Sequence, residues 1–273
     1  MVTDLMKGKK GLVMGVANDH SIAWGIAEAL HKAGAELAFT YQGEAFGKRV
    51  KPLAERIGAN ILIDCDVQKE EDLDRVFARL EKEWGKLDFI VHAIAYSNKE
   101  ELQGHYVDTT LNNFLQTMHI SCYSFTSIMR RAKKLMKEGG SAITLTYYGS
   151  TKVMPNYNVM GVAKAALEAS VRYLAADLGP PTDEHASIRV NAISAGPMRT
   201  LAGAVIGSAR KTFKYNVVTA PLRKSVELEE LGGTALYLLS DLSSAVTGEV
   251  HFVDCGFNAV GMPPHEGLKE LAG

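Results

Sequence analysis

The chain has 273 residues, of which 47% are hydrophobic and 22% charged, and its formal net charge is −1. This composition supports a sizeable buried core and argues against disorder, while the balanced charge supplies no overall field for a nucleic acid or an acidic membrane. Cys65, Cys122 and Cys255 are scattered and form no Cys-x-x-Cys pair, so neither a disulfide framework nor a thiolate metal site is expected and a reducing, cytoplasmic setting fits. No apolar stretch approaches the roughly 20 residues that span a bilayer, so no membrane insertion is expected.

In chain order, short apolar runs at 11–14, 36–40, 60–63, 89–92, 142–145, 189–193 and 250–253 predict seven strands. Helical patterns at 22–32, 46–57, 72–84, 112–136, 159–178 and 228–239 fall between them. The alternation predicts an α/β fold: a single-domain, Rossmann-like, doubly wound parallel sheet with helices on both faces. No repeat or linker divides the chain, so residues 1–273 read as one dinucleotide-binding and catalytic domain. Gly-Met-Pro-Pro at 261–264 marks a C-terminal tail, 257–273.

The first strand ends at Gly15, and the following loop leads through Ser21 and Ile22 into a helix. Small residues there admit a pyrophosphate to free N–H groups at a helix start. The G-x-G-x-x-G spacing is missing, and an ordinary turn with Ser21 as N-cap is the competing reading. The second strand ends at Gln42, a neutral amide where many such proteins carry an acid for the adenosine ribose. After the third strand, Asp66 is placed to accept from an adenine amino group and Val67 to donate its backbone N–H to the ring; a turn or capping role for Asp66 is the alternative. Ala93, Ile94 and Ala95 close the fourth strand beside the same crevice. No Arg directly follows the second strand, which favours NADH, while Lys48 and Arg49 leave NADPH open.

Tyr157 and Lys164 stand seven residues apart, about 700° along a helix and so only about 20° apart around its axis. A phenol and an ammonium therefore share one face, with Tyr147 ten residues upstream at the end of a strand. Residues 198–213 mix small apolar residues with glycines and read as a helical segment covering the substrate, with a permanently packed surface helix as the alternative. Arg210, Lys211 and Lys214 form a basic cluster beyond it, while Arg130, Arg131, Lys133, Lys134 and Lys137 read as the solvated end of a long helix. The eight His residues show no H-E-x-x-H or clustered spacing, so no metal is expected.

Gly15 with Ser21-Ile22-Ala23, the Asp66-Val67 pair, Tyr157 with Lys164, and Asn191-Ala192-Ile193-Ser194-Ala195-Gly196-Pro197 together resemble the short-chain dehydrogenase/reductase superfamily over nearly the whole chain. The usual Tyr-to-Lys spacing there is four. The spacing of seven, the upstream Tyr147, Tyr157-Asn158-Val159-Met160-Gly161 and Arg199-Thr200-Leu201 are similar to bacterial enoyl-acyl carrier protein reductases of the FabI type.

That resemblance implies NADH-dependent reduction of a trans-2-enoyl thioester in type II fatty-acid synthesis, with acyl carrier protein as partner and a homotetrameric assembly. It implies that Tyr157 donates to the enolate oxygen, that Lys164 holds the nicotinamide ribose, and that Tyr147 lines the reacting end. It places Met198 and Thr200 at the nicotinamide and pyrophosphate, Met160, Ala204 and Ile206 with both tyrosines at the acyl pocket, and the carrier-protein contact at Arg210 and Lys211. Ala93 and Ala95 stand where relatives tend to carry Ser and Gly, and Gly207 where they carry a basic residue. A superfamily member acting on a carbonyl or hydroxyl, and a nucleotide-sensing regulator that keeps only the fold, are the competing readings.

Overall fold

The computed structural model describes residues 4–198 and 209–272, excepting the side chains of 209–211, 266, 270 and 272. Its centre is one sheet of seven parallel strands: β1 (Lys10–Met14), β2 (Glu36–Tyr41), β3 (Ile61–Asp64), β4 (Phe89–His92), β5 (Gly140–Thr146), β6 (Ile188–Ala195) and β7 (Val250–Val253). Their spatial order is β3-β2-β1-β4-β5-β6-β7. The chain winds outward in one direction from β1 and in the other from β4, so the carboxyl ends of β1 and β4 open the crevice where such sheets bind ligands.

The strands read as continuous apolar runs because both faces are covered. Leu12, Met14 and Ile90 enter one core, beneath α3 (Glu70–Trp84), α6 (Ser124–Ala132) and α7 (Asn158–Leu178). Val13, Phe89 and Val91 point the opposite way, under α1 (Ile22–Lys32), α2 (Gly43–Arg56) and α9 (Leu228–Leu239). Strand side chains alternate between faces, so one short run fills two layers. The remaining helices are α4 (Lys99–Leu102), α5 (Leu111–Met118), α8 (Ala209–Thr219) and α10 (His265–Ala272); the last gives the C-terminal tail a helix that packs on α8.

Two expectations change. The helix expected over 112–136 is broken: α5 passes into a five-residue π-helical turn, His119–Tyr123, before α6 begins. The wider turn lets Ile120, Ser121, Cys122 and Ser124 all be buried, which regular 100° steps would not allow on one face. The basic cluster near 130 is not simply solvated. Arg131 lies between α6 and α3, bonding Asp74 and Glu70 at 2.6 and 2.9 Å, and Arg130 bonds Glu70 at 2.7 Å. These pairs staple two helices and hold the Glu70 carboxyl below its usual range. None of the described helices is long and apolar enough to cross a membrane.

Candidate active site

At the sheet's switch point Gly15 has φ +103°, and a Cβ there would lie 2.1 Å from the carbonyl oxygen of Ala93. Glycine is thus required both by its conformation and by the approach of the β1 and β4 ends. Ser21 does not cap α1 with its side chain. Its hydroxyl turns back and accepts the N–H groups of Ala17 and Asn18, each at 3.0 Å, which corrects the N-cap reading. The loop is therefore pre-shaped by its own serine. Because Trp24 and Gly25 already donate to the Ser21 carbonyl, the first-turn N–H groups of Ile22 and Ala23 are those left for an anion.

On the adenosine side, Gln42 is exposed and flanks α2 without a side-chain cap. Asp64 instead reaches across from β3, and its Oδ1 accepts the Gly43 N–H at 2.7 Å. Asp66 forms the turn that was its alternative role, accepting the Gln68 N–H at 3.0 Å, while its own N–H donates to Asp72 at 2.9 Å. The Val67 side chain is buried in the core. Lys48, a candidate partner for an extra phosphate, is paired with Glu44 at 3.0 Å.

The catalytic candidates gather where β5 meets α7. Tyr157 is not inside the helix but immediately before it, with φ −117° and ψ −30°. Its near-helical backbone keeps the sense of the shared-face argument, although the spacing arithmetic is no longer strict. Asn156 and Asn158 on either side take positive φ, 58° and 34°, a conformation Asn tolerates better than most residues. The Tyr147 and Tyr157 rings meet edge to face at 5.1 Å. Met160 joins them in a small apolar cluster with Leu102 and Phe114. Tyr157 is 6% exposed, and burial, with Tyr147 and Glu168 nearby, pushes its phenol far up; burial pushes Tyr147 to about 12. Both remain neutral donors near pH 7.

Lys164 is 5% exposed, and its ammonium donates to the Leu145 carbonyl at 2.7 Å. Burial lowers it to about 8, opposed by the thiol of Cys122 and the carboxylate of Glu168. An ammonium has three donors, so two remain for ligand hydroxyls. This donor set, with the Gly15 turn and the free start of α1, fits a dinucleotide. One turn after Lys164, the buried Glu168 accepts from the Thr146 hydroxyl at 2.6 Å. Lys164 and Glu168 thereby grip consecutive residues at the end of β5, just before Tyr147.

Three supports escaped the sequence reading. Glu168 was legible only as an acid on an otherwise apolar helix face. His92 at the end of β4 lies between Thr144 Oγ1, 2.8 Å away, and Ser124 Oγ, 2.9 Å away. Ser124 donates to the Ile120 carbonyl, so it accepts from Nε2–H and the ring holds one neutral tautomer. Burial, then Lys164, lowers His92 to about 3. Ser121 fixes the loop after β4 by accepting the Tyr96 N–H at 3.0 Å, and Asn113 accepts the Asn98 N–H at 3.0 Å; nothing in their spacing announced this.

Ile94 and Ala93 pack at the margins of the two cores, and Ala95 is exposed at the crevice. Met198 packs against the core on the α1 and α9 side. Thr200, Ala204, Ile206 and Gly207 lie outside the described residues, as do the side chains of Arg210 and Lys211. In the Asn191–Pro197 motif, Asn191 is structural: its amide ties β6 to Val246 and Glu249, each at 3.0 Å.

Fold and site together define a member of the short-chain dehydrogenase/reductase class, with a buried Tyr and Lys at the end of the crevice. A family model described as Enoyl-(Acyl carrier protein) reductase matches residues 15–258. The chain belongs to that family. Among its relatives is an enoyl-[acyl-carrier-protein] reductase [NADH] 2 of Rhizobium meliloti (strain 1021), 61% identical over 265 residues that cover 97% of each chain. The crystal structure of FabI from Candidatus Liberibacter asiaticus is similar with a TM-score of 0.92 and 56% identity, covering 96% of this chain and 99% of that one. The Anaplasma phagocytophilum reductase, crystallised in complex with NAD, has a TM-score of 0.91 and 57% identity, covering 96% and 98%.

Proposed function

We propose that the chain catalyses NADH-dependent reduction of the trans-2 double bond of an enoyl thioester carried on acyl carrier protein. The observation that carries this reading is the buried pair of neutral phenols, Tyr147 against Tyr157, beside the Lys164 ammonium. NADH, when bound, supplies the hydride for the β-carbon. Negative charge then develops on the thioester oxygen, and the neutral Tyr157 hydroxyl donates to it from a site that excludes water. Lys164 binds the nicotinamide ribose through its two remaining donors and adds positive potential. Tyr147, with Met160, orients the acyl thioester. The start of α1 at Ser21 and Ile22 takes the pyrophosphate, and Gln42, Asp66 and Val67 take the adenosine.

In the same reading residues 198–213, with Thr200, Ala204 and Ile206, cover the acyl chain, and Arg210 and Lys211 meet the acidic carrier protein. Charge reversal of those two residues is expected to raise KM for carrier-protein substrate more than for a coenzyme A analogue. We also propose a cytoplasmic homotetramer. Support comes from exposed Leu111, Leu115 and Tyr123 around α5 and exposed Val162 and Tyr173 on α7, apolar faces suited to two-fold pairing; light scattering of the purified chain tests it. The deciding experiment compares crotonyl and longer enoyl thioesters with β-ketoacyl thioesters, following NADH absorbance. Turnover of enoyl but not ketoacyl substrates is expected; the reverse would replace this reading with a carbonyl reductase.

A further inference from the structure

The second strand ends without the acid that commonly selects NADH, yet the fold brings one there from its neighbour. Asp64 closes β3 in register with Tyr41, the last residue of β2. Its carboxylate reaches past that end to accept the Gly43 N–H at 2.7 Å. In a doubly wound sheet the adenosine ribose lies at the carboxyl end of the second strand. Building on the assignment of NADH as cofactor, we infer that Asp64 is a specificity-determining residue: it excludes the 2′-phosphate of NADPH by placing a negative charge where Gln42 supplies none.

Three features beside Asp64 act in the same direction. Its carboxylate is exposed and, among the described residues, has no ion-pair partner. Arg75 bonds only the backbone carbonyl of Asp64, at 2.9 Å, and directs its charge to Asp72 at 2.8 Å. The nearby cations are also engaged: Lys48 pairs with Glu44 at 3.0 Å, and Lys51 lies over the Tyr41 ring at 5.5 Å. Finally, the Gly43 N–H, a donor an incoming phosphate oxygen would use, is already taken by Asp64. A phosphate monoester carries about −1.5 to −2 charges at neutral pH. It would meet a fixed like charge with no free cation held beside it, while the two ribose hydroxyls of NADH carry no charge to be repelled.

The test is binding, not turnover. Asp64→Asn keeps an oxygen for the Gly43 N–H and removes the charge. Dissociation constants of NADH and NADPH are measured by fluorescence with the full chain, and 5′-AMP is compared with adenosine 2′,5′-bisphosphate as competitors that lack the nicotinamide. In Asp64→Asn the preference for NADH over NADPH should fall about tenfold, chiefly through tighter NADPH binding, with the two nucleotide fragments following suit. Asp64→Glu should retain the preference. An unchanged ratio in Asp64→Asn, or equal weakening of both cofactors, overturns the inference. Should that variant fold poorly, the unaltered protein still decides: its preference for NADH must shrink as ionic strength rises, since an exposed charge is screened over about 10 Å. A preference indifferent to salt would equally overturn it. Because neither arm requires substrate, a wrong assignment of the reaction would show only in the turnover assays.

Discussion

The two ends of the crevice recognise their ligands by different physics. At the β2 and β3 ends, Asp64 and Asp66 are exposed or half-exposed and spend one oxygen each on a backbone N–H. At the β5 end, Lys164, Glu168, His92 and Tyr157 are all buried, and three of them have strongly shifted proton affinities. Wet carboxylates discriminate by charge and shape but are screened by salt. Groups out of water hold fixed protonation states, which is what a step that develops charge requires. Selection of the nucleotide and execution of the reaction are thus assigned to opposite dielectric environments within one crevice.

The largest effect should come from the buried end. Tyr157→Phe is expected to cut kcat about 10²- to 10³-fold, the range seen when one oxyanion donor is removed, with the NADH dissociation constant nearly unchanged. Lys164→Ala should weaken NADH binding itself. Identical losses in both variants would dissolve the division of labour.

A second effect sharpens the role of burial. A Cβ on Gly149 would lie 2.4 Å from Tyr157 Cδ1, so Gly149→Ala must displace the phenol ring. A drop of about tenfold in kcat, with NADH affinity held within about twofold, is expected; a parallel fall in affinity would mean that the whole crevice had moved.

The third prediction concerns pH. Lys164 titrates near 10.5 in the unfolded chain and at about 8 when buried. Between these values the unfolded state binds more protons, so Lys164 makes the free protein more stable as pH rises through that window. The same deprotonation removes the ribose-holding charge, so NADH affinity should decline as pH climbs past about 8 while the melting temperature gains. Glu168→Gln withdraws a charge that raises Lys164, and should move the decline to lower pH. An unmoved profile would leave Glu168 with only its grip on Thr146. His92 acts at the acid side: it titrates near 6.5 unfolded and about 3 folded, so stability should be lost as pH falls through that interval.

The smallest effect lies outside both ends. Asn216 Nδ2 on α8 is buried without a hydrogen-bond partner. Asn216→Leu removes an unsatisfied donor, a change of about 1 kcal/mol, and should raise the melting temperature by about 2–4 °C in a calorimetric scan.

Much of this was legible from sequence because it depends on local order. Seven apolar runs became seven strands within a few residues, since parallel strands covered on both faces need uninterrupted apolar side chains. Lys164 could be placed from its distance to Tyr157. What could not be read depends on partners distant in the chain: Glu168 needs Thr146, His92 needs Ser124, and Asp64 acts at the end of another strand. Ser21 misled for a related reason, because a serine before a helix can turn forward to cap or backward to close the loop, and only the positions of the Ala17 and Asn18 N–H groups decide. The break between α5 and α6 was invisible because composition is helical on both sides of it.

That break has a consequence for how the protein can vary in length. Through the wide turn at His119–Tyr123, α6 is set out of step with α5, and Phe125, Ile128, Met129 and Ala132 meet the sheet. Deleting a single residue there would rotate everything downstream by about 100°, carrying those four side chains toward solvent and Ser124 away from His92. Conservative substitutions in the segment can be absorbed one at a time, whereas a one-residue insertion or deletion cannot, so homologous chains should keep this stretch constant in length even where its letters differ.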